Sequence, residues 1–185
     1  MIKHLDQRVG VFVDVQNMYY SAKNIYDRHV NFAQLLKEAV ADRKLIRATA
    51  YTIAAEIPLE KNFFEALRQQ GFEVKSKDLQ IFPGGVKKGD WDVGITVDAI
   101  KLSRQLDVVV LITGDGDYVP LVEFLQYHGL LVEVLAFKKT ASSKLVDKAD
   151  DFIDIGENTR RFLMAKSASA RRPYLRRPFP LQAHS

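Results

Sequence analysis

Residues 107–113 read DVVVLIT, the strongest apolar run in the chain, and residues 114–117 follow it directly as GDGD. A continuous apolar run bounded by turn residues is typical of a strand that is buried on both faces of a sheet. This run is therefore predicted to form the central strand. The aspartates that follow it, Asp115 and Asp117, would then lie at the carboxyl end of that strand.

Strand-like and helix-like patterns alternate on both sides of the central run. Upstream lie RVGVFVD at 8–14, a helix capped by Asn31, a strand at 45–53, a helix between Pro58 and Gly71, the strand FEVKSKDLQIF at 72–82, the loop PGGVKKGDW at 83–91 and a helix over 92–106. Downstream lie a helix from Tyr118, the strand LLVEVLAF at 130–137 and a helix over 142–153. This alternation predicts a Rossmann-like α/β fold, a three-layer sandwich with a central parallel sheet in the order 3-2-1-4-5 and helices on both faces.

Composition limits the class of protein and the kind of metal site. With 185 residues, of which 47% are hydrophobic and 27% charged, the chain has room for one substantial core but not for two ordinary domains. No apolar run approaches the roughly 18 residues that span a bilayer, and the start MIKHLDQR lacks the apolar stretch of a signal peptide, so we expect a cytoplasmic protein with no membrane partner. There are no cysteines and only 4 scattered histidines, so any metal must be bound by oxygen.

Positive charge is concentrated at the C-terminus. The formal net charge is +4, and five basic residues without an acidic neighbour follow Ala165, so the rest of the chain carries 4 − 5 = −1. They are Lys166, Arg171, Arg172, Arg176 and Arg177. Small residues and prolines without periodicity predict disorder here, which divides the chain into a domain at 1–163 and a basic tail at 164–185.

Two aspartates end strands that the predicted order places side by side. Asp14 ends the first strand, and Asp115 follows the fourth. In a doubly wound sheet, ligands bind beyond the carboxyl ends of the strands where the winding direction reverses. Carboxylates so close together repel each other unless a cation lies between them, and carboxylate oxygens suit Mg²⁺ or Mn²⁺. The sequence therefore predicts a divalent-metal site that contains Asp14 and Asp115.

Three further aspartates are candidates for this site. Asp117 either binds the metal, caps the helix that follows, or does both. Asp92 begins the helix at 92–106, where capping and the helix dipole also favour a carboxylate. Asp98 lies about 120° around that helix and roughly 9 Å along it from Asp92, so both cannot point at one ion. Asp92 is therefore the predicted ligand. Asp98 is predicted either to hydrogen-bond groups around the ligands or to pair with Lys101 on the surface of the helix.

Three segments occur in a recognisable order: FVDVQN at 12–17, KKGDWDVGITVDAI at 87–100 and LITGDGDYVPLVEFLQYHG at 111–129. Together they resemble the NYN domains, a branch of the PIN-like nuclease fold, and among these the LabA-like bacterial proteins, over residues 8–155. The resemblance implies a PIN-type sandwich and a metal-dependent, endoribonuclease-like site whose acidic positions fall on Asp14, Asp92, Asp115 and Asp117. It also implies that Asn17 orients Asp14 or a bound water, while helix capping is the alternative for Asn17.

RNA is the expected substrate of such a site. Mg²⁺ or Mn²⁺ would lower the pKa of a bound water and stabilise charge on the scissile phosphate, so water is the predicted nucleophile. An acidic site repels nucleic acid, and positive charge is therefore needed at its margin. The candidates for RNA binding, each otherwise an ordinary solvated cation, are Lys87, Lys88, Lys138, Lys139, Lys144, Arg171, Arg172, Arg176 and Arg177. Three aromatic residues either stack on a base or pack within the protein: Trp91, Tyr19 and Tyr20.

Other functions remain open or are disfavoured by the motifs. The main alternative is a non-catalytic regulatory module of the LabA type that binds RNA or protein. Neither G-x-G-x-x-G nor a Walker A sequence is present, which disfavours a dinucleotide- or ATP-dependent enzyme. A Toprim-like site is disfavoured because Asp14 stands where that site needs a glutamate, and a receiver-like site lacks paired acids after the first strand. A homo-oligomer is compatible with the sequence, and DNA is not distinguished from RNA.

Overall fold

The computed structural model describes residues 3–54, 58–78, 80–81, 87–88 and 90–165, with only the backbone at 58–60, 80–81 and 87–88. The strands are β1 (Arg8–Asp14), β2 (Lys44–Ala54), β3 (Glu73–Asp78), β4 (Gln80–Ile81), β5 (Lys87–Lys88), β6 (Val108–Ile112), β7 (Leu131–Ala136) and β8 (Asp151–Asp154). The helices are α1 (Val15–Tyr26), α2 (Phe32–Val40), α3 (Pro58–Gln69), α4 (Asp92–Leu102), α5 (Val119–Tyr127), α6 (Ser143–Lys148) and α7 (Thr159–Phe162).

A six-stranded sheet in the order β3-β2-β1-β6-β7-β8 forms the middle of the fold, and every neighbouring pair in it is parallel. The predicted α/β architecture and the order 3-2-1-4-5 are confirmed by the first five of these strands, and helices flank the sheet. Every residue of β6 is buried, as expected for the central strand. The winding direction reverses between β1 and β6, so the crevice at which such sheets bind ligands lies there.

Local signals place the helix ends as predicted. The side chain of Asn31 caps α2 by accepting the backbone N–H of Gln34 at 3.3 Å. Helix α3 begins at Pro58, whose missing N–H costs nothing in a first turn. The chain leaves α3 through Gly71, whose φ of +100° is a conformation that glycine adopts without strain.

The prediction of one helix over 142–153 is wrong, because α6 ends at Lys148 and β8 follows along the edge of β7. Asp150 makes the connection: its backbone N–H donates to the Val132 carbonyl at 2.9 Å, and its Oδ2 accepts the Val132 N–H at 2.8 Å. The edge of β7 offers backbone groups that need partners, and pairing with them outweighs the helical spacing of apolar residues in this segment.

Two other elements are shorter than their patterns predict. The single strand predicted over 72–82 ends at Asp78, and Gln80–Ile81 pair instead with Lys87–Lys88 in a separate antiparallel sheet. The helix predicted over 92–106 ends at Leu102 and continues as a 3-10 turn. There the hydroxyl of Ser103 donates to the Ile100 carbonyl at 2.8 Å, a local bond that competes with helix continuation.

A buried ion pair lies toward the amino ends of the strands, away from the crevice. Arg43 donates to both carboxylate oxygens of Glu133 on β7 at 2.6 and 2.9 Å, and both side chains are fully buried. Lys3 approaches the same carboxylate at 3.2 Å. Burying charges costs several kcal/mol per ion unless they are paired and hydrogen-bonded, so each partner depends on the other.

The predicted domain end at Leu163 falls on a buried residue that bridges to Val30. The tail predicted to be disordered lies outside the described residues from 166 onward. Within the described ranges, every helix is too short or too polar to traverse a bilayer.

Candidate metal centre

The candidate site lies where β1 and β6 end. These strands are neighbours, with Val13 paired to Ile112, so Asp14 and the loop after Ile112 leave the sheet at the same edge. Asp14 is half-buried, and its Oδ1 accepts the backbone N–H of Asn17 at 3.0 Å. This bond makes Asp14 the N-cap of α1, which holds the carboxylate at the edge of the sheet.

The side chain of Asn17 connects α1 to the loop after β6. Its Oδ1 accepts the backbone N–H of Gly114 at 2.9 Å. The helix-capping alternative for Asn17 is wrong, since Asp14 is the cap of α1. The predicted contact with Asp14 is made by the backbone N–H of Asn17 and not by its side chain. The side chain instead holds the segment that carries Asp115.

The loop after β6 is organised by its own aspartate. The backbone N–H of Asp115 donates to Thr113 Oγ1 at 3.2 Å, and Asp115 Oδ1 accepts the N–H of Asp117 at 3.0 Å. Asp115 thereby caps a 3-10 turn over Gly116–Tyr118, and α5 begins after it without a side-chain cap. The capping role considered for Asp117 is wrong, and the Asp117 side chain is exposed at the edge of the sheet.

Close packing explains why glycines flank Asp115. A Cβ at Gly114 would lie 3.0 Å from the Cα of Ala141, and a Cβ at Gly116 would lie 2.7 Å from Ser142 Oγ. The segment after β7 thus packs directly on the aspartate loop, and Ser142 also donates its N–H to the Gly114 carbonyl at 2.9 Å. Larger residues at these glycines would push the loop away from its support.

Asp92 reaches the same edge from α4, whose first residue it is. Its Oδ1 accepts the hydroxyl of Tyr118 at 3.0 Å, and Tyr118 is fully buried. The bond joins the start of α4 to the turn that carries Asp115 and Asp117, so the tyrosine holds two separate segments in one arrangement.

The carboxylates of Asp92, Asp115 and Asp117 each offer an oxygen, and these oxygens all lie within 4.8 Å of one another. A cation that bonds oxygen at about 2.0–2.6 Å can bridge oxygens up to roughly 4–5 Å apart. Three hard carboxylate donors within this distance form a group that could hold a divalent metal ion. Among the described side chains, no lysine or arginine forms an ion pair with any of the three.

Asp14 lies outside this group of three, but the charges of Asp92 and Asp115 influence its pKa. Burial raises the pKa of Asp14 to about 6, and the charges of Asp92 and Asp115 act in the same direction, against the N–H of Asn17. Burial also raises the pKa of Asp92, together with the charge of Asp115 and against the hydroxyl of Tyr118. Carboxylates whose charged forms are disfavoured in this way are the groups that a cation would stabilise.

Asp98 has partners of its own and does not join the other aspartates. Its Oδ2 accepts the Tyr51 hydroxyl at 2.8 Å and pairs with Lys75 Nζ at 2.6 Å. Burial raises the pKa of Asp98, but the bonds from Lys75 and Tyr51 outweigh it, so the pKa lies below its ordinary range. Tyr51, which bonds Asp98, is paired with Asp14 across β1 and β2. The connection between Asp98 and the candidate site therefore runs through Tyr51.

Lysines occur in the segments after β7 and near the end of β3. Lys138 and Lys139 follow β7, Lys144 lies in α6, and all three are exposed. Lys77 of β3 donates to the Asp90 carbonyl at 3.1 Å. The predicted Lys87 and Lys88 form β5, and their side chains lie outside the described residues, as do Arg171, Arg172, Arg176 and Arg177.

Sequence reasoning missed Tyr118 and Lys77. Tyr118 directly follows Asp117, but nothing in its spacing distinguishes a buried hydroxyl that bonds Asp92 from an ordinary core tyrosine. Lys77 lies within a segment that reads as a plain strand, and only the sheet order brings it beside the start of α4. Tyr19 and Tyr20 are exposed on α1 at 41% and 57%, and the ring of Tyr19 also packs against Tyr20 and His29.

Comparison with known proteins agrees with the segments quoted above. The NYN domain model matches residues 8–156. Low amplitude and bright protein LabA of Synechococcus elongatus is 25% identical over 161 residues, which cover 81% of this chain and 84% of LabA. An uncharacterized protein of Methanocaldococcus jannaschii is 33% identical over 95 residues, which cover 50% of this chain and 35% of that protein.

A solved structure has the same fold. The crystal structure of a protein of unknown function from Vibrio parahaemolyticus superposes with a TM-score of 0.80 at 36% identity, covering 89% of this chain and 100% of the other. The family model spans β1 to the residues just after β8, which is the whole six-stranded sheet together with all the candidate aspartates. The chain therefore belongs to the NYN domain family.

Proposed function

We propose that this protein is a divalent-metal-dependent endoribonuclease that uses Mg²⁺ or Mn²⁺ and water to hydrolyse phosphodiester bonds in RNA. One observation carries the proposal: Asp92, Asp115 and Asp117 offer oxygens within 4.8 Å of one another. Holding three carboxylates together without a cationic partner among the described side chains costs free energy, and a bound divalent ion would offset that cost. Membership of a family that often acts on nucleic acids supports the choice of reaction.

The side chains of the candidate site would have different roles in the reaction. Asp92, Asp115 and Asp117 would hold the ion, with Tyr118 and Asn17 keeping their segments in place. When bound, the ion supplies a water of lowered pKa and stabilises negative charge on the scissile phosphate. Asp14, which lies outside the group of three and whose pKa is raised to about 6, is suited to take up a proton at a carboxylate oxygen near neutral pH.

The proposal of RNA as substrate draws on the distribution of positive charge. The acidic group repels a polyanion, while exposed lysines follow β7, whose carboxyl end lies at the same edge of the sheet, and Lys77 bonds Asp90 beside the start of α4. Such an arrangement suits a strand whose phosphates contact the lysines and whose scissile phosphate is directed to the aspartates. Binding should therefore weaken as the salt concentration rises.

The test is cleavage of single-stranded and structured RNA while Mn²⁺ or Mg²⁺ is titrated into metal-free protein. Asp115→Asn keeps a good capping residue but removes one ligand charge, so we expect the rate to fall at least a hundredfold while the thermal unfolding temperature is retained. Asp6→Asn is the matched control, because Asp6 is exposed before β1 and pairs only on the surface with Lys44. EDTA should abolish cleavage by the wild type and by the control.

Two results would contradict the proposal. Equal cleavage by wild type and Asp115→Asn would indicate a contaminating nuclease or another site. Salt-dependent RNA binding without cleavage at any metal concentration, unchanged in Asp115→Asn, would favour the non-catalytic regulatory module.

A further inference from the structure

The start of α4 lacks the usual capping bond. Trp91 occupies the N-cap position, and its side chain accepts no backbone N–H there. A serine, threonine, aspartate or asparagine at this position normally stabilises a helix start by about 1 kcal/mol. The hydroxyl of Tyr118 orients the Asp92 carboxylate, but Asp92 is also the first residue of α4, so its backbone position depends on what holds the start of this helix in place.

The indole of Trp91 connects the start of α4 to the sheet. Its Nε1–H donates to the carbonyl oxygen of Thr52 at 2.6 Å. The ring meets Tyr51 edge to face, with the centroids 5.2 Å apart, and Lys77 Nζ lies 4.2 Å from the indole centroid. The ring is therefore packed between α4 and the ends of β2 and β3, which favours the packing alternative for Trp91 over base stacking.

The indole bond ties α4 to the strand beside Asp14. Tyr51 is paired with Asp14 across β1 and β2, and Thr52 is the next residue along β2. A change in the distance between Trp91 and Thr52 would move Asp92 relative to the edge of the sheet that carries Asp14.

Gly94 makes room for this arrangement. A Cβ at Gly94 would lie 2.5 Å from Cε3 of Trp91 and 2.9 Å from Cζ3, closer than side chains approach each other. Glycine inside a helix costs up to about 1 kcal/mol relative to alanine. Its presence in the first turn of α4 is explained by the indole that folds back over that turn.

We propose that Trp91 is a positioning residue. Its bond to Thr52, for which Gly94 leaves the necessary space, keeps the start of α4 in place. Asp92 is thereby held where it can share a divalent cation with Asp115 and Asp117. This inference rests on the proposed metal site. It assigns to a half-buried tryptophan a role in metal affinity that is separate from its contribution to the core.

The experiment is a calorimetric Mn²⁺ titration of metal-free wild type, Trp91→Phe and Tyr127→Phe, with circular dichroism to confirm folding. Phenylalanine keeps an aromatic ring but removes the Nε1–H donor. We expect Trp91→Phe to raise the Mn²⁺ dissociation constant by at most about tenfold, the lower end of the range for groups bonded directly to a ligand, because Trp91 acts on Asp92 only through the start of α4. Tyr127→Phe, which removes a donor from a side chain that is 88% exposed, should bind Mn²⁺ as the wild type does.

Cleavage supplies a second readout. In Trp91→Phe the RNA cleavage rate should fall at subsaturating Mn²⁺ and recover at saturating Mn²⁺, which general loss of structure would not produce. If Trp91→Phe does not fold, Gly94→Ala makes the same test, because the added Cβ displaces the indole. A folded variant with the wild-type Mn²⁺ affinity would overturn the inference.

The titration also separates this inference from the proposed function. If the wild type binds Mn²⁺ but cleaves no RNA, the nuclease proposal fails while the comparison of dissociation constants still decides the role of Trp91. If the wild type binds no Mn²⁺, both proposals fail.

Discussion

The hydroxyl of Tyr118 donates to Asp92 Oδ1 at 3.0 Å and joins two segments that are 26 residues apart in sequence. Tyr118 is completely buried, and burial together with the charges of Asp14, Asp92 and Asp115 raises the pKa of its hydroxyl. The hydroxyl therefore stays protonated and remains a donor. A neutral hydroxyl, rather than a lysine or arginine, thus orients the carboxylate of Asp92. The negative charge of Asp92 is therefore not neutralised by this partner and can interact with a cation.

Tyr118→Phe should weaken metal binding without unfolding the protein. The Tyr118 bond lowers the pKa of Asp92, so its loss should raise that pKa and shift Mn²⁺ binding to higher pH. We expect a dissociation constant about ten times larger at pH 7 and a destabilisation of about 1 kcal/mol. Calorimetry between pH 5.5 and 8 measures the first and urea unfolding the second. An unchanged pH profile would show that the hydroxyl does not act on Asp92.

Asn17→Ala should loosen the loop that carries Asp115. The variant leaves the Gly114 N–H without its acceptor, which costs about 1–3 kcal/mol if water cannot replace it. Hydrogen exchange at Gly114 and Asp115 should accelerate, and Mn²⁺ affinity should fall. Asn24→Ala is the matched control because Asn24 is exposed on the same helix. Equal protection in both variants would be evidence against a role for the Asn17 side chain.

Asp14 should make the metal-free protein less stable as pH rises. Its carboxyl has a pKa of about 6 when folded and 3.8 ordinarily, so the folded state holds more protons between these values. Stability from this group is thus present below about pH 4 and lost as pH rises through 6. Asp14→Asn, which keeps a capping side chain, should reduce the fall in unfolding temperature between pH 4.5 and 7 measured in EDTA.

The control for Asp14 is Asp6→Asn. The hydrogen bond and charge of Lys44 lower the pKa of Asp6, so the contribution of Asp6 to stability depends on pH with the opposite sign. Mn²⁺ should stabilise wild type more at pH 7 than at pH 5, because binding requires charged carboxylates. Identical unfolding curves for wild type and Asp14→Asn across this range would refute the assignment of the raised pKa to Asp14.

The buried pair of Arg43 and Glu133 should matter for stability and not for the site. Glu133→Gln leaves the Arg43 charge without its partner and is expected to cost about 3–5 kcal/mol in urea unfolding. Replacing both residues, as Arg43→Met with Glu133→Leu, should recover most of that loss. Mn²⁺ affinity of the folded double variant should match the wild type. A large change in affinity would mean that the pair is coupled to the metal centre.

Much of the fold could be predicted from local patterns. The apolar run at 108–112 and the alternation around it are enough to predict a parallel sheet, because only buried strands tolerate such runs. The missed strand Asp151–Asp154 shows the limit of these patterns. Its four residues carry no distinctive periodicity, and they form a strand because the neighbouring edge of β7 needs partners.

The sequence by itself determined which carboxylates stand at the ends of the central strands, because a parallel sheet brings those ends to one edge whatever the details of packing. Only the tertiary structure decided how they are held. Three hydrogen bonds join segments that are distant in sequence: Tyr118 to Asp92, Asn17 to Gly114 and Trp91 to Thr52. Such bonds depend on side-chain direction and on distances of a few tenths of an ångström, which spacing along a chain does not encode.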